Sequence, residues 1–528
     1  MRALGVLAGL LSGAVGICVG FLVAGLTGPV GSPVVAVAEL AIDLSPPPLK
    51  NFAIREFGTS DKLVLQIGVV IVLAVFAAVI GLVAQRRIER GLIGVGVFAA
   101  IGLIAAGTRP TAGPADLLPT LIGSAAAAGA LIALTRAAVG RSVRPAGPAP
   151  ASTGSAPAGA EPATRPTARL AVREPDRRQF MSLGAVAAGG AAVAYAGGRL
   201  LSERASVAAA VQSLRLPAAA HPVPPLPPGT DLHIPGLAPF ITPNSAFYRV
   251  DTAIVLPQIP PSSWQLRIHG MVQRPITLSF GDLLRRPLIE DYITLCCVSN
   301  PVAGPYISNA KWLGASLGAL LREAGIRAGA DQLFCTSFDG FTSGTPVATA
   351  MDGRDAMLAV GMNGKPLPTA HGFPVRTVVP GLYGYVSACK WITDIEVTTY
   401  AANSSYWAQR GWSPQATIKT ESRIDVPSGQ GPVQRGKTTI AGVAWAQHKG
   451  IDAVEVRVDR GPWRQAMLAA VPGIDTWRQW SIPWEALPGG HLIEARATDA
   501  TGYTQTALEE PPEPNGATGY PIVRVTVS

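Results

Sequence analysis

The first 140 residues alternate long apolar runs with short polar breaks. Four runs are long and apolar enough to predict membrane-spanning helices, at about residues 3–26, 62–84, 91–107 and 117–135. A helix needs roughly 20 apolar residues to cross the hydrocarbon layer. A polar, proline-bearing loop at about residues 27–61 separates the first two runs. Residues 140–176 are rich in Pro, Ala, Gly and Thr, a composition that forms no core and predicts a flexible linker. Asp176-Arg177-Arg178-Gln179-Phe180-Met181 then opens a fifth apolar run of Gly, Ala and Val that ends near residue 198. A proline-rich stretch at 215–230 marks a second linker. Beyond it, short β-rich runs such as Trp264–His269 alternate with turn signals and a few helical segments, Leu317–Ala324 among them. From about residue 430 the pattern is β alone. Strands at Thr438–Trp445, Val454–Val458 and His491–Ala497 have the spacing of a small β-sandwich.

Composition sharpens this division. The chain has 528 residues, 48% hydrophobic and only 15% charged, and most of the apolar excess lies before residue 200. The net charge of +9 suggests a nucleic-acid partner at first sight. Its arginines sit instead at helix ends and in the linker: Arg86, Arg87, Arg90, Arg136, Arg141, Arg144, Arg165, Arg169, Arg173, Arg177 and Arg178. No basic stripe interleaved with aromatics accompanies them, so nucleic acid is excluded as a partner. If all four helices span, Arg2, Arg86, Arg87, Arg90 and Arg136 share one face, which the positive-inside rule makes cytoplasmic. The twin arginine before residue 180 reads either as an export signal or as the flank of a fifth helix. Both readings carry the rest of the chain to the outer side.

Two segments carry candidate chemistry. Tyr292-Ile-Thr-Leu-Cys-Cys-Val-Ser-Asn300 is a strand-like run that ends in two cysteines and a turn. A thiolate at such a junction could ligate a soft metal, and two buried core cysteines explain the segment equally well. No second Cys or His stands at zinc-ligand spacing. The second segment, His371-Gly-Phe-Pro-Val-Arg376 through Pro380-Gly381 to Lys390-Trp391, places His, Arg and Lys around a turn in an otherwise apolar stretch. Buried cations need anionic partners, and one phosphate could satisfy an Arg and a Lys together. His371 alone is better read as a satisfied core histidine.

These segments, with Thr242-Pro-Asn-Ser-Ala-Phe-Tyr-Arg249, Asn363-Gly-Lys-Pro-Leu-Pro and Ile418-Lys-Thr-Glu-Ser-Arg-Ile-Asp425, resemble the molybdopterin-binding domain of the sulfite oxidase family. The β-rich tail resembles that family's immunoglobulin-like second domain, in Gly442–Trp445, Val454–Asp459 and Arg496–Asp499. The resemblance implies a fold of three parts: N-terminal transmembrane α-helices, an α+β sulfite-oxidase-type molybdopterin-binding domain, and a C-terminal immunoglobulin-like β-sandwich. The expected boundaries are a four-helix membrane anchor at 1–139, the linker at 140–176, the twin-arginine-like signal or fifth helix at 177–200, the catalytic domain at 215–428 and the sandwich at 429–528. It further implies one molybdenum–molybdopterin per chain, with Cys297 as metal ligand and catalytic residue, since the family places Asn three positions after that cysteine and Asn300 stands there. The resemblance makes His371, Arg376, Ser387 and Lys390 cofactor-binding, and the loop that carries Ser387 is one residue longer than in sulfite oxidase. Asn244, Tyr248 and Arg249 match the family's early pterin-contact segment, and Asp339 is a further candidate.

Two departures bear on the substrate. Sulfite oxidases carry arginine where Val250 and Pro301 stand, and those arginines help bind sulfite. A neutral S-oxide, N-oxide or organic sulfur compound is therefore expected in place of sulfite. All six histidines follow residue 220 and no Cys-x-x-Cys-His occurs, so no haem is expected. Electrons must then pass to or from a separate electron-transfer protein or a quinone-linked partner. A homodimer through the C-terminal domain is a further implication. The competing class is a binding or assembly protein that keeps the fold without the chemistry.

Overall fold

The computed structural model describes residues 2–28, 32–46, 61–109, 112–139, 177–204 and 206–528. The expected linker at 140–176, with Arg141, Arg144, Arg165, Arg169 and Arg173, lies outside the described residues. The chain divides into two compact units, Met1–Ala205 and Ser206–Ser528.

Among the described residues of the first unit are helices α1 (Arg2–Thr27), α2 (Pro33–Leu44), α3 (Asp61–Arg86), α4 (Ile88–Gly107), α5 (Leu118–Val139) and α6 (Arg177–Arg204). All but α2 are long and apolar enough to cross a membrane. The expected spans thus coincide with helices, and the fifth run is one too. The expected loop at 27–61 is corrected in part, because α2 occupies its first half. Pro33 was a loop signal in the sequence; at the first turn of a helix its missing N–H costs nothing and its fixed φ helps the start. Small residues set the packing. A Cβ on Gly9 would lie 1.9 Å from the Ala77 carbonyl oxygen, so α1 meets α3 backbone to backbone. A Cβ on Gly123 would lie 2.6 Å from the Gly16 carbonyl oxygen, so α1 meets α5 in the same way. Phe180 of α6 is buried with Ala8, Leu134, Ala137 and Ala138.

In the second unit, the strands Leu288–Cys296, Ile307–Ser316, Met357–Met362 and Lys365–Pro366 form an antiparallel sheet, and Arg376–Val378 pairs with Met357–Met362. A second, mixed sheet runs in the order Ile276–Ser279, Gln265–Gly270, Ile392–Thr398, Gln332–Ser337, Thr342–Pro346. The helix Leu317–Ala324 begins where the Ser316 side chain accepts from the Ala319 N–H and ends at left-handed Gly325. It buries Leu317, Leu320, Leu321 and Ala324, the i, i+3, i+4, i+7 stripe of a helix packed on one face. The large core between these layers takes in Trp264, Leu266, Ile268, Leu320, Trp391, Ile395 and Val397.

Two antiparallel four-stranded sheets follow toward the C-terminus. One contains Gly436–Trp445 and Arg478–Ala486, the other Ile451–Val458, Gly489–Asp499 and Ile522–Val527. Their shared core includes Ile440, Val454, Trp480, Trp484 and Ile493. The first sheet also recruits Glu421–Val426, which pairs with Gly436–Trp445 from within the segment read as catalytic.

Candidate active site

The strand Leu288–Cys296 sends alternate side chains to opposite faces. Ile293 and Leu295 enter a core with Trp312, Met357 and Phe373, whereas Cys296 enters the larger core on the other side. The two cysteines therefore part company. Cys296 is fully buried among apolar groups, and its Sγ approaches the Cys297 carbonyl oxygen at 3.5 Å. Cys297 follows the strand end. Its N–H donates to the Tyr306 carbonyl at 2.9 Å, and its own carbonyl accepts from the Asn300 N–H at 3.1 Å. The Asn300 Oδ1 accepts from the Tyr306 N–H at 2.8 Å, closing the loop behind the thiol. The Asn300 Nδ2 is buried and makes no hydrogen bond among the described residues. Burial pushes the Cys297 thiol up, against the pull of Ser299 and of the Lys390 charge.

Three cations gather around this loop. Arg376 begins the short strand Arg376–Val378 and is buried. Its guanidinium donates to the carbonyl oxygens of His371 at 3.2 Å and Ala388 at 3.3 Å and lies 5.2 Å from the Trp312 ring centroid. Among the described residues no carboxylate lies within ion-pair distance of it, and burial lowers its pKa to about 10. Lys390 Nζ lies 2.7 Å from Asp251 Oδ2, and burial lowers its pKa to about 8 although Asp251 opposes the shift. Arg249 Nε lies 2.7 Å from the same Oδ2. One buried carboxylate thus ties two cations together, and Arg376 is left without a counter-charge.

His371 ends a 3₁₀ turn, Thr369–His371, with its ring edge-on to Phe247 at 5.4 Å between centroids. Its Nε2 lies 3.1 Å from the Asn244 carbonyl oxygen. Burial first, then the charge of Arg376, lowers its pKa to about 4. The Asn244 side chain is fixed by Asn363, whose Nδ2 donates to Asn244 Oδ1 at 2.7 Å. Tyr248 stacks on Phe247, and its backbone N–H donates to Ser308 Oγ at 3.1 Å. Burial, then Cys297 and Cys296, push its phenol well above the usual range.

The structure thus brings Asn244, Tyr248, Arg249, Cys297, Asn300, His371, Arg376 and Lys390 into one neighbourhood. Asp339 joins its edge: burial raises its carboxyl, Ser337 and the Phe341 amide oppose that, and the charges of Lys390 and Asp251 both reach it. Ser387 is placed differently. It is fully buried and its hydroxyl donates to the Leu382 and Tyr383 carbonyls at 3.0 and 3.1 Å, which commits it to its own turn. Asp251, Ser299, Trp312 and Asn363 belong to the neighbourhood and carried no sequence role. The Arg-x-Asp spacing of Arg249 and Asp251 is the one signal that could have pointed to the first.

Residues 253–407 match the family model described as an oxidoreductase molybdopterin binding domain. Sulfite oxidase of Gallus gallus is 32% identical over 315 residues, which cover 50% of this chain and 68% of that protein.

The chain belongs to the sulfite oxidase-like molybdopterin oxidoreductase family.

Mitochondrial sulfite oxidase of Mus musculus is 32% identical over 291 residues, 46% of this chain and 53% of that protein, so the chain spans about half the length of that relative. An uncharacterized oxidoreductase of Bacillus subtilis is 30% identical over 151 residues, 29% of this chain and 73% of its own length. Among solved structures, the sulfane dehydrogenase SoxCD from Paracoccus pantotrophus superposes with a TM-score of 0.48 at 24% identity, covering 55% of this chain and 84% of that one. The donor set suits the family's cofactor. Arg376 is a buried cation lacking an anion, the Asn300 Nδ2 is a buried donor lacking an acceptor, and Cys297 is a thiol set apart from the apolar core. A phosphate-bearing pterin with a thiophilic metal meets each of these needs.

Proposed function

We propose that this chain is a membrane-anchored molybdenum–molybdopterin oxidoreductase that transfers an oxygen atom to or from a small substrate other than sulfite, with its catalytic unit on the outer face of a bacterial cytoplasmic membrane. The observation that carries the reading is the buried Arg376 guanidinium, which among the described residues meets backbone carbonyls and the Trp312 ring but no carboxylate. A buried cation in this state is costly unless an anionic group completes it.

When bound, the cofactor supplies two-electron oxygen-atom transfer, and the protein supplies binding, orientation and electrostatics. Cys297 is the metal ligand. Its loop is braced by Asn300, so the sulfur is presented from a fixed backbone. Arg376 and Lys390 hold the phosphate, and Arg249 adds to that field through Asp251. His371 is neutral at physiological pH. Because Nε2 faces a carbonyl oxygen, Nε2 carries the proton and Nδ1 keeps a lone pair that would accept from a donor on the bound pterin. Asn244 and Tyr248 line the same cleft, with Asp339 at its edge. Ser387 contributes through the shape of its turn.

The substrate reading rests on charge. Val250 and Pro301 are both exposed, and neither supplies a donor. Two cations of the neighbourhood, Arg249 and Lys390, share Asp251. A sulfite dianion would find few charge-assisted donors here, whereas a neutral S-oxide, N-oxide or organic sulfur compound needs none. The arginines at the helix ends support the outward placement, α6 serves as export signal or fifth span, and the C-terminal sheets form the immunoglobulin-like domain through which a homodimer would form. The redox partner is a separate electron-transfer protein or a quinone. The test is metal and pterin content of the full chain purified from a molybdenum-replete, cofactor-competent host. About one molybdenum and one pterin per chain are expected, and a protein without either removes the catalytic reading.

A further inference from the structure

The membrane unit holds a cavity of about 150 Å³, bounded by α1, α2, α3, α4 and α5 and lined by Gly13, Val37, Ala77, Phe98, Thr120 and Ala127 among others. Its origin is in the packing. α1 touches α3 near Gly9 and α5 near Gly16, and both contacts depend on missing side chains. The glycines and alanines that allow the approach carry too little side chain to fill the space beside it. Among the described residues no charged side chain lines it.

Three hydroxyls do, those of Ser12, Thr120 and the half-buried Ser124. Thr120 is 4% exposed, and its Oγ1 makes no hydrogen bond among the described residues. Ser12 also lines the cavity, but its hydroxyl already donates to the Ala8 carbonyl at 2.6 Å. A buried hydroxyl left unpaired is expensive. The need at the buried Thr120 is an acceptor, and the largely apolar lining favours one carried on an apolar body. An apolar cavity of roughly this volume takes a single benzene-sized ring.

We propose that this cavity binds the ring of a membrane quinone, with a ring carbonyl accepting from Thr120 Oγ1 and the ring packed near Phe98. A quinone has the ring, the acceptor and the neutrality that the lining demands. A phospholipid headgroup or a fatty-acid carboxylate would bring charge that no described lining residue offsets. An acyl chain would leave Thr120 unpaired. The choice of a redox-active ring over any other ketone rests on the proposed function, which requires an electron carrier in or at the membrane. Gly102 supplies a handle on the site, because a Cβ there would lie 2.8 Å from Thr120 Cγ2.

The test uses the full, molybdenum-loaded chain in phospholipid nanodiscs, with radiolabelled tetramethyl-1,4-benzoquinone as probe and empty nanodiscs as the partition control. Tetramethylbenzene, the same ring without carbonyls, is the competitor. Saturable binding to one site per chain is expected, with little competition from tetramethylbenzene. Thr120→Val should weaken binding about tenfold, the worth of one hydrogen bond, while Thr120→Ser retains it. Gly102→Leu should abolish it. Three results overturn the site: no binding above empty nanodiscs, a Thr120→Val variant as tight as wild type, or a phospholipid kept in the cavity that the quinone does not displace. Molybdenum measured on the same samples separates the two readings. A chain that holds molybdenum and no quinone loses the site alone, and one that binds quinone without molybdenum loses the enzyme reading alone.

Discussion

His371 donates its Nε2–H to the carbonyl oxygen of Asn244 across 3.1 Å. A carbonyl can only accept, so this contact fixes the tautomer and leaves Nδ1 free to accept in turn. The pKa of about 4 has burial as its first cause and the Arg376 charge as its second, so the ring is neutral through the physiological range. The unfolded chain protonates the same group near its ordinary value of about 6.5. Between those values the unfolded state binds more protons, and stability falls as pH drops from about 6.5 toward 4, then levels.

The first prediction follows for the cofactor-free protein. Urea denaturation at pH 7 and pH 4.5 should show a smaller loss of stability for His371→Gln than for wild type, by on the order of 2–3 kcal/mol at most. An identical loss in both would mean that His371 titrates normally in the native state and that the neutral-acceptor role is wrong.

The adjacent cysteines should separate cleanly. Cys297→Ser should lose the molybdenum–thiolate signature while keeping most of the stability. Cys296→Ser should keep the metal signature and lose about 1–3 kcal/mol, since it buries a hydroxyl in an apolar core. Metal spectroscopy and thermal unfolding on the two variants decide it. Loss of the metal signal from Cys296→Ser with retention in Cys297→Ser would reverse the assignment.

Much of this arrangement was legible because periodicity and spacing are local. The spans near 3–26 and 62–84, the strands Gln265–Gly270 and Gly489–Asp499, and the stripe of Leu317–Ala324 all follow from side-chain order alone. The separation of Cys296 from Cys297 follows from strand alternation once the strand is granted. What the sequence hid is long-range. α2 was masked by a proline whose meaning depends on whether it starts a helix. Asp251 gains its role only when residue 390 folds back onto it, 139 positions later. The commitment of the Ser387 hydroxyl to its own turn depends on local dihedrals that no residue count conveys.

Arg376 yields a prediction with opposite signs in two states. In the cofactor-free chain its buried charge lacks a carboxylate, so Arg376→Met should leave stability unchanged or raise it by about 1–2 kcal/mol. The same substitution should abolish cofactor retention, because the phosphate loses its paired donors. Unfolding of the cofactor-free protein and molybdenum content of the loaded protein test the two halves. A cofactor-free Arg376→Met chain that is strongly destabilised would mean that the backbone carbonyls alone satisfy the guanidinium, and the anion argument would fall.

Glu421 supplies the last prediction. It opens the strand Glu421–Val426 opposite Trp445, is 4% exposed, and its Oε1 makes no hydrogen bond among the described residues. Burial raises its pKa to about 8, although the charge of Lys419 opposes this; burial also raises the Cys296 thiol and the Tyr383 phenol, and Glu421 adds to both only when ionised. The native state therefore keeps a proton that the unfolded chain releases near pH 4.5. Stability should fall as pH rises from about 4.5 to 8, by about 1.4 kcal/mol per unit as an upper bound, and level off above. Glu421→Gln carries no such proton. Relative to wild type it should gain stability from pH 5 to pH 8, read as a rising difference in urea midpoints. A difference that stays flat across that range would mean that the carboxylate ionises in the native state, stabilised by a partner such as Lys419. The buried acid beside the Cys296 strand would then be a fixed negative charge that adds to burial in holding the Cys296 thiol up.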